Sequence, residues 1–303
     1  VIGVFDRPGY ERHRRRFRAD DLDVRLEGRT ALVTGGNSGI GLETGRALAA
    51  RGARVVLLCR GAGRGEAARD ALRRETGNPA VELRVLDVAD LGAVRAAGAA
   101  LAADRVDVLV HNAGVLPDAR ALTADGLELT FATHVAGPHL LTATLADALA
   151  AARGRVLWVS SGGMYLVRLS LDDLAWERRR YDGVAAYAQT KRMQVVLARV
   201  WAERLGPRGV AVYAMHPGWA DTAAVRTSLP RFHRVMRPRL RTAGEGADTV
   251  VWLAVKEPPP GPGGSFWFDR ERVSPHWLPW TRERRAEVDA LARACDRAAG
   301  LGR

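Results

Sequence analysis

The chain has 303 residues, 47% of them hydrophobic and 26% charged, and carries a formal net charge of +12. Two cysteines, Cys59 and Cys295, are too few for a disulfide framework and lack metal-ligand spacing, so no metal site is expected and a reducing compartment, the cytoplasm, is the expected setting. The charge invites polyanion binding, but arginine is interleaved with Asp and Glu throughout and no nucleic-acid-binding motif accompanies it, so no specific nucleic-acid partner is expected.

In chain order, residues 1–25 form a basic N-terminal extension around His13-Arg14-Arg15-Arg16-Phe17-Arg18. It is too polar to span a bilayer and has no signal-peptide core, so no transmembrane segment is expected. Two readings of it stay open, a short helix packed on the domain and a basic face in peripheral contact with anionic lipid. The apolar run Ala31-Leu32-Val33 then leads into Thr34-Gly35-Gly36-Asn37-Ser38-Gly39-Ile40-Gly41, a strand, a glycine loop and a helix from about Ile40 to Ala50. Glycines let the backbone approach a ligand closely, and a helix amino end favours a pyrophosphate. Gly35, Asn37, Ser38, Gly39, Ile40 and Gly41 are therefore cofactor-binding candidates.

The second strand, Arg54-Val55-Val56-Leu57-Leu58, ends at Cys59-Arg60, where dinucleotide folds meet the adenosine ribose. An acid there selects NAD; the Arg60 guanidinium instead suits a 2′-phosphate, which favours NADP(H) over NAD(H), with Arg64 as a weaker helper. Two further strand ends carry polar signals, Asp87 for the adenine and Asn112-Ala113-Gly114 as a small-residue turn beside the cofactor. The strand Arg155-Val156-Leu157-Trp158-Val159 ends in Ser160-Ser161-Gly162-Gly163, and a serine there can hydrogen-bond a carbonyl oxygen. Lys191 is one of only two lysines among 46 basic residues and follows Tyr187 by one helical turn, on the same face. A neighbouring ammonium favours phenolate, which would draw the tyrosine toward neutrality as an acid or base. The run Val210-Ala211-Val212-Tyr213-Ala214-Met215 leads into His216-Pro217-Gly218-Trp219-Ala220-Asp221-Thr222, where Pro217, Gly218 and Thr222 suit a nicotinamide carboxamide.

Taken in order, the T-G-x-x-x-G-I-G loop, N-A-G, S-S, Y-x-x-x-K and P-G-x-x-x-T resemble the short-chain dehydrogenase/reductase superfamily, over roughly Leu26 to Phe268. Further runs, Gly162-Gly163-Met164, Tyr181-Asp182-Gly183 and Gly246-Ala247-Asp248-Thr249, sharpen the likeness to one branch of it whose substrate does not carry over. The alternation of strand and helix patterns gives α/β logic. The resemblance implies a single Rossmann-type three-layer domain over residues 26–303, doubly wound, with a mainly seven-stranded parallel sheet in the order 3-2-1-4-5-6-7. Its strands are expected near Ala31, Val55, Leu83, Val108, Leu157, Val212 and Phe266. Pro258-Pro259-Pro260-Gly261-Pro262-Gly263-Gly264 reads as a loop, and residues 270–303 as a C-terminal extension.

The resemblance also implies catalytic roles for Ser161, Tyr187 and Lys191. His134 stands where the family pattern has an asparagine that supports a helix kink and a proton relay, and it either carries that relay, breaks it, or is a packed structural histidine. Residues 223–245, with Arg226, Arg231, Arg234, Arg237, Arg239 and Arg241, are expected to cover the substrate, either as a basic lid or as an amphipathic surface helix. Met164, Tyr165 and Trp219 are either apolar walls or core. The expected function is an NADP(H)-dependent oxidoreductase acting on a small-molecule carbonyl or alcohol, with a catalytically impaired NADP(H)-binding interaction protein as the alternative. Homo-oligomers are common in the superfamily, and the terminal segments leave that open here.

Overall fold

The computed structural model describes residues 2–302. After helix α1 (Arg7–Arg14) the core alternates strand and helix: β1 (Thr30–Thr34), α2 (Gly39–Ala49), β2 (Arg54–Cys59), α3 (Ala62–Thr76), β3 (Val81–Val85), α4 (Leu91–Leu101) and β4 (Val108–His111). A long broken helix follows, made of α5 (Leu129–Phe131), a π turn over Ala132–Ala136 and α6 (Gly137–Thr144), then α7 (Ala146–Ala152), β5 (Arg155–Val159), α8 (Gly183–Leu205) and β6 (Ala211–Met215). Two short helices, α9 (Ala223–Ser228) and α10 (Pro230–Met236), precede α11 (Ala243–Val255), β7 (Phe266–Phe268), β8 (Glu271–Val273) and α12 (Arg285–Ala298).

Seven strands run parallel in the order β3-β2-β1-β4-β5-β6-β7, and β8 adds an antiparallel edge beside β7. The sheet thus has eight strands where seven were expected. The reason is a tight turn at Asp269-Arg270, both at positive φ (48° and 60°), which folds the chain back without a glycine. The strands read as continuous apolar runs because both faces of the sheet are covered. Alternate residues separate into two cores. Leu32, Val56, Leu109, Val156, Trp158 and Val212 face the side that holds α4, α6, α8 and α12, whereas Val33, Val55, Leu57, Val110, Leu157 and Tyr213 face α2, α3 and α11. Strand order reverses between β1 and β4, which opens a crevice at their carboxyl ends, the place where such sheets bind ligands.

Residues 2–17 pack on the domain. Asp6 is fully buried and caps α1 through Gly9, His13 meets Asp269 at 2.7 Å, and Arg7 and Arg16 pair with Glu245 and Glu271. At the other end α12 lays Val288, Leu291 and Cys295 against α8, with Asp296 taken by Arg204 and by His139 of α6. Among the described residues no single helix is long and apolar enough to cross a membrane.

Candidate active site

The glycine loop is built on hydrogen bonds between β1 and β4. The Thr34 hydroxyl donates to Val110 O (3.2 Å) and accepts from the amides of Asn112 (2.9 Å) and Ala113 (3.0 Å). The Asn112 side chain returns the contact, donating to Thr34 O (2.9 Å) and Gly35 O (3.2 Å). Gly41 must lack a side chain here, since a Cβ would lie 2.3 Å from Asn112 Nδ2 and 2.5 Å from Gly35 O. Asn112 and Ala113 therefore sit at the crevice as braces of the loop, and Gly114 approaches His134. Ser38 precedes α2 without a side-chain cap, so the first amides of that helix face the crevice at the positive end of its dipole. Gly39, at φ 54°, lies under Thr222, whose methyl is 3.4 Å from where a Cβ would stand, and Ile40 packs against Gly246. Asn37 belongs to the same turn. This uncapped, glycine-rich cradle fits a dinucleotide phosphate.

Arg60 stands at the end of β2 with its side chain 61% exposed, and its guanidinium is 4.0 Å from the Asp87 carboxylate. Asp87 accepts from the Ala89 amide (2.9 Å), which fixes the turn after β3. Arg64 lies beside Gly61 on the same rim. After β6, Pro217 and Gly218 (φ 73°) lie against Arg241 and Phe5 O, which exclude a Cβ on Gly218, and Thr222 caps α9. Thr222 and Gly39, 183 residues apart in sequence, meet across the crevice.

At the end of β5, Ser160 donates to Lys191 O (2.8 Å) and anchors α8 to the sheet. Ser161, which accepts from Gly163 N (3.3 Å), turns its hydroxyl to Tyr187. Lys191 is 3% exposed and its ammonium donates to Val159 O (2.8 Å) and Gln194 Oε1 (3.1 Å), lying 5.4 Å from the Tyr187 ring centre. Burial pushes the lysine down to about 7. Desolvation also raises the half-buried Tyr187 phenol, with the Ser161 hydrogen bond opposing it. In the pocket without cofactor, desolvation and not the lysine sets the direction of the phenol's shift.

His134 sits in the π turn with its ring edge toward Tyr187, 5.4 Å between ring centres. Its Nε2 accepts from the Val115 amide (2.9 Å), which fixes the proton on Nδ1, and that nitrogen donates to Thr190 Oγ1 (2.8 Å). Burial pushes the imidazole well below its usual range, so it stays neutral. Both ring nitrogens are thereby engaged by the protein.

Several residues at the site escaped sequence reasoning. Gln194 is buried next to Lys191, and only its place three residues along one helix face could have signalled it. Phe5 is 3% exposed, packs on His216 at 4.4 Å, and leaves no room for a side chain on Gly162. Arg241, grouped by sequence with the basic lid, is fully buried, donating to Phe5 O and pairing with Asp269. Met164 and Tyr165 are core, while Trp219 is half-buried against Phe232. An open cleft of about 590 Å³ lies at the start of α8, bounded by Leu116, Arg180, Tyr181, Val184 and Ser228, and Ser228 ties α9 to Leu116 O.

The short chain dehydrogenase profile matches residues 29–231. Human dehydrogenase/reductase SDR family member 12 is 42% identical over 275 residues, covering 90% of this chain and 86% of its own, and human retinol dehydrogenase 12 is 37% identical over 260 residues, covering 84% and 82%. Among solved structures, a protein of unassigned function from Mycobacterium paratuberculosis is similar with a TM-score of 0.74 and 29% identity, over 91% of this chain and 95% of that one. A Beutenbergia cavernae structure, described as an NAD(P)-dependent gluconate 5-dehydrogenase with bound NADP at low occupancy, gives a TM-score of 0.61 and 31% identity over 76% of this chain and 90% of that one. With the Rossmann-type sheet, the glycine cradle and the convergence of Ser161, Tyr187 and Lys191, these similarities place the chain in the short-chain dehydrogenase/reductase family, nucleotide-binding oxidoreductases, with its likeness running to dehydrogenase/reductase SDR family member 12.

Proposed function

We propose that this chain is an NADP(H)-dependent oxidoreductase that interconverts a small-molecule carbonyl and alcohol, with Ser161, Tyr187 and Lys191 as its reacting-site residues. The observation that carries the reading is the meeting of a serine hydroxyl, a half-buried phenol and a buried ammonium at the end of β5, beside the glycine cradle. The names of its retinol dehydrogenase relatives support a CH–OH or C=O substrate class. When bound, the nicotinamide supplies or accepts the hydride. The Ser161 hydroxyl orients the substrate oxygen, and the Tyr187 hydroxyl gives or takes its proton. Lys191 has two N–H groups on protein acceptors and keeps a third for the ribose hydroxyls. Pro217, Gly218 and Thr222 would hold the carboxamide, and Arg60, exposed on the rim, would pair with the 2′-phosphate.

A second reading, an NADP(H)-binding protein with little turnover, draws on the engagement of both His134 nitrogens, which leaves that ring no free position for relaying protons. Tyr187→Phe separates the two. On a panel of aldehydes and ketones with NADPH, loss of a general acid is expected to lower turnover by about 10²- to 10⁴-fold. An unchanged rate would defeat the proposed chemistry, and a wild-type chain that binds NADPH but reduces nothing would favour the second reading.

A further inference from the structure

Pro138 stands four residues after His134, so the carbonyl of His134 lacks the amide that would normally satisfy it in an α-helix. The helix widens there into the π turn Ala132–Ala136, closed by the Gly137 amide on Ala132 O. A buried carbonyl left this way needs another donor. Gln194 supplies it: its Nε2 donates to His134 O at 3.0 Å, and its Oε1 accepts from Lys191 Nζ at 3.1 Å. The network allows one orientation of the amide, because the amino end must face a carbonyl and the oxygen an ammonium.

We propose that Gln194 is a positioning residue of this site, a rigid tie that holds the Lys191 ammonium against the carbonyl freed by Pro138. The tie rests on the reading of Lys191 as a working residue. It holds one ammonium N–H while the Val159 carbonyl holds a second, and together they aim the third. It also fills the space between Lys191 and the π turn with a side chain that, unlike a hydroxyl or a water, does not readily pass a proton. The titratable groups facing Lys191 are Tyr187 on its own helix and His134 on the π turn, and β5 contributes the Val159 carbonyl.

The chain holds only two lysines, Lys191 and Lys256, so this chain grown with ¹³C-lysine gives two side-chain signals, and Lys256→Arg assigns them. Gln194→Leu removes the acceptor while keeping most of the volume. Because the hydrogen bond favours the charged lysine, its loss is expected to move the Lys191 titration down by about one pH unit. Gln194→Asn keeps the amide but shortens its reach, and is expected to fall between the two; it reads the same shift if the leucine variant does not fold. A Lys191 titration unmoved in the folded variants overturns the tie. The signal is read without cofactor or substrate, so failure of NADPH to bind the wild-type chain would defeat the functional reading alone.

Discussion

Replacing Lys191 by methionine tests how the site is embedded in the fold. The ammonium is 3% exposed and titrates near 7 against an ordinary 10.5. A lysine whose folded value is depressed is protonated in both states below about pH 7, where its full penalty is present. Between the two values the unfolded chain holds the extra proton, so stability rises with pH across that window, by up to about 1.4 kcal/mol per unit. At pH 7 the penalty is about 4 kcal/mol, and by about pH 9.5 it has fallen by about 3 kcal/mol. In Lys191→Met the penalty is gone, and it is offset by leaving Val159 O and Gln194 Oε1 without their donor, at about 1–3 kcal/mol each, independent of pH. Urea unfolding of both proteins at intervals from pH 7 to 9.5 cancels the groups they share. The wild-type chain is expected to gain about 3 kcal/mol on the variant over that range. A difference that stays flat with pH would refute the burial of a neutralised lysine in this pocket.

Gly41→Ala places a Cβ against Asn112 and Gly35, and is expected to cost about 2–4 kcal/mol from lost brace hydrogen bonds and overpacking, read as a lower urea midpoint together with weaker NADPH binding. Glu283→Ala leaves Arg192, a fully buried guanidinium on α8, without its carboxylate, and a loss of about 3–5 kcal/mol is expected in the same assay; an unchanged midpoint would mean the pair adds nothing. Phe5→Ala empties the aromatic cluster over His216 and Gly162, with an expected loss of about 3–5 kcal/mol and a higher KM for carbonyl substrates, whereas unaltered stability would mean residues 2–6 detach from the domain.

The sheet was legible because its strands announce themselves twice, as apolar runs and by the polar signals at their carboxyl ends, from Thr34 to Thr222. All seven expected strands occur in the expected order. What escaped lies where side chains act across long sequence separations. In a chain with 46 basic residues nothing marks Arg192 and Arg241 as buried, since only their carboxylate partners, Glu283 and Asp269, reveal it. The last hairpin was hidden because Asp269 and Arg270 take positive φ with no glycine to signal a turn. The N-terminal segment left a packed helix and a lipid-facing basic surface both open, because no sequence pattern marks Phe5, Asp6, Tyr10 and His13, which with Arg7 and Arg16 fasten it to the domain. His134 could be placed opposite the family asparagine, but its tautomer follows from Val115 and Thr190, which only the folded backbone brings to it.

The most direct test of the account is a paired titration of the wild-type chain with NADPH and NADH, followed by nicotinamide fluorescence, which requires no knowledge of the substrate. Tight binding of NADPH with distinctly weaker binding of NADH, and loss of that preference in Arg60→Ala, is the expected result. A preference for NADH would contradict the role given to Arg60, and failure to bind either nucleotide would contradict the enzyme itself.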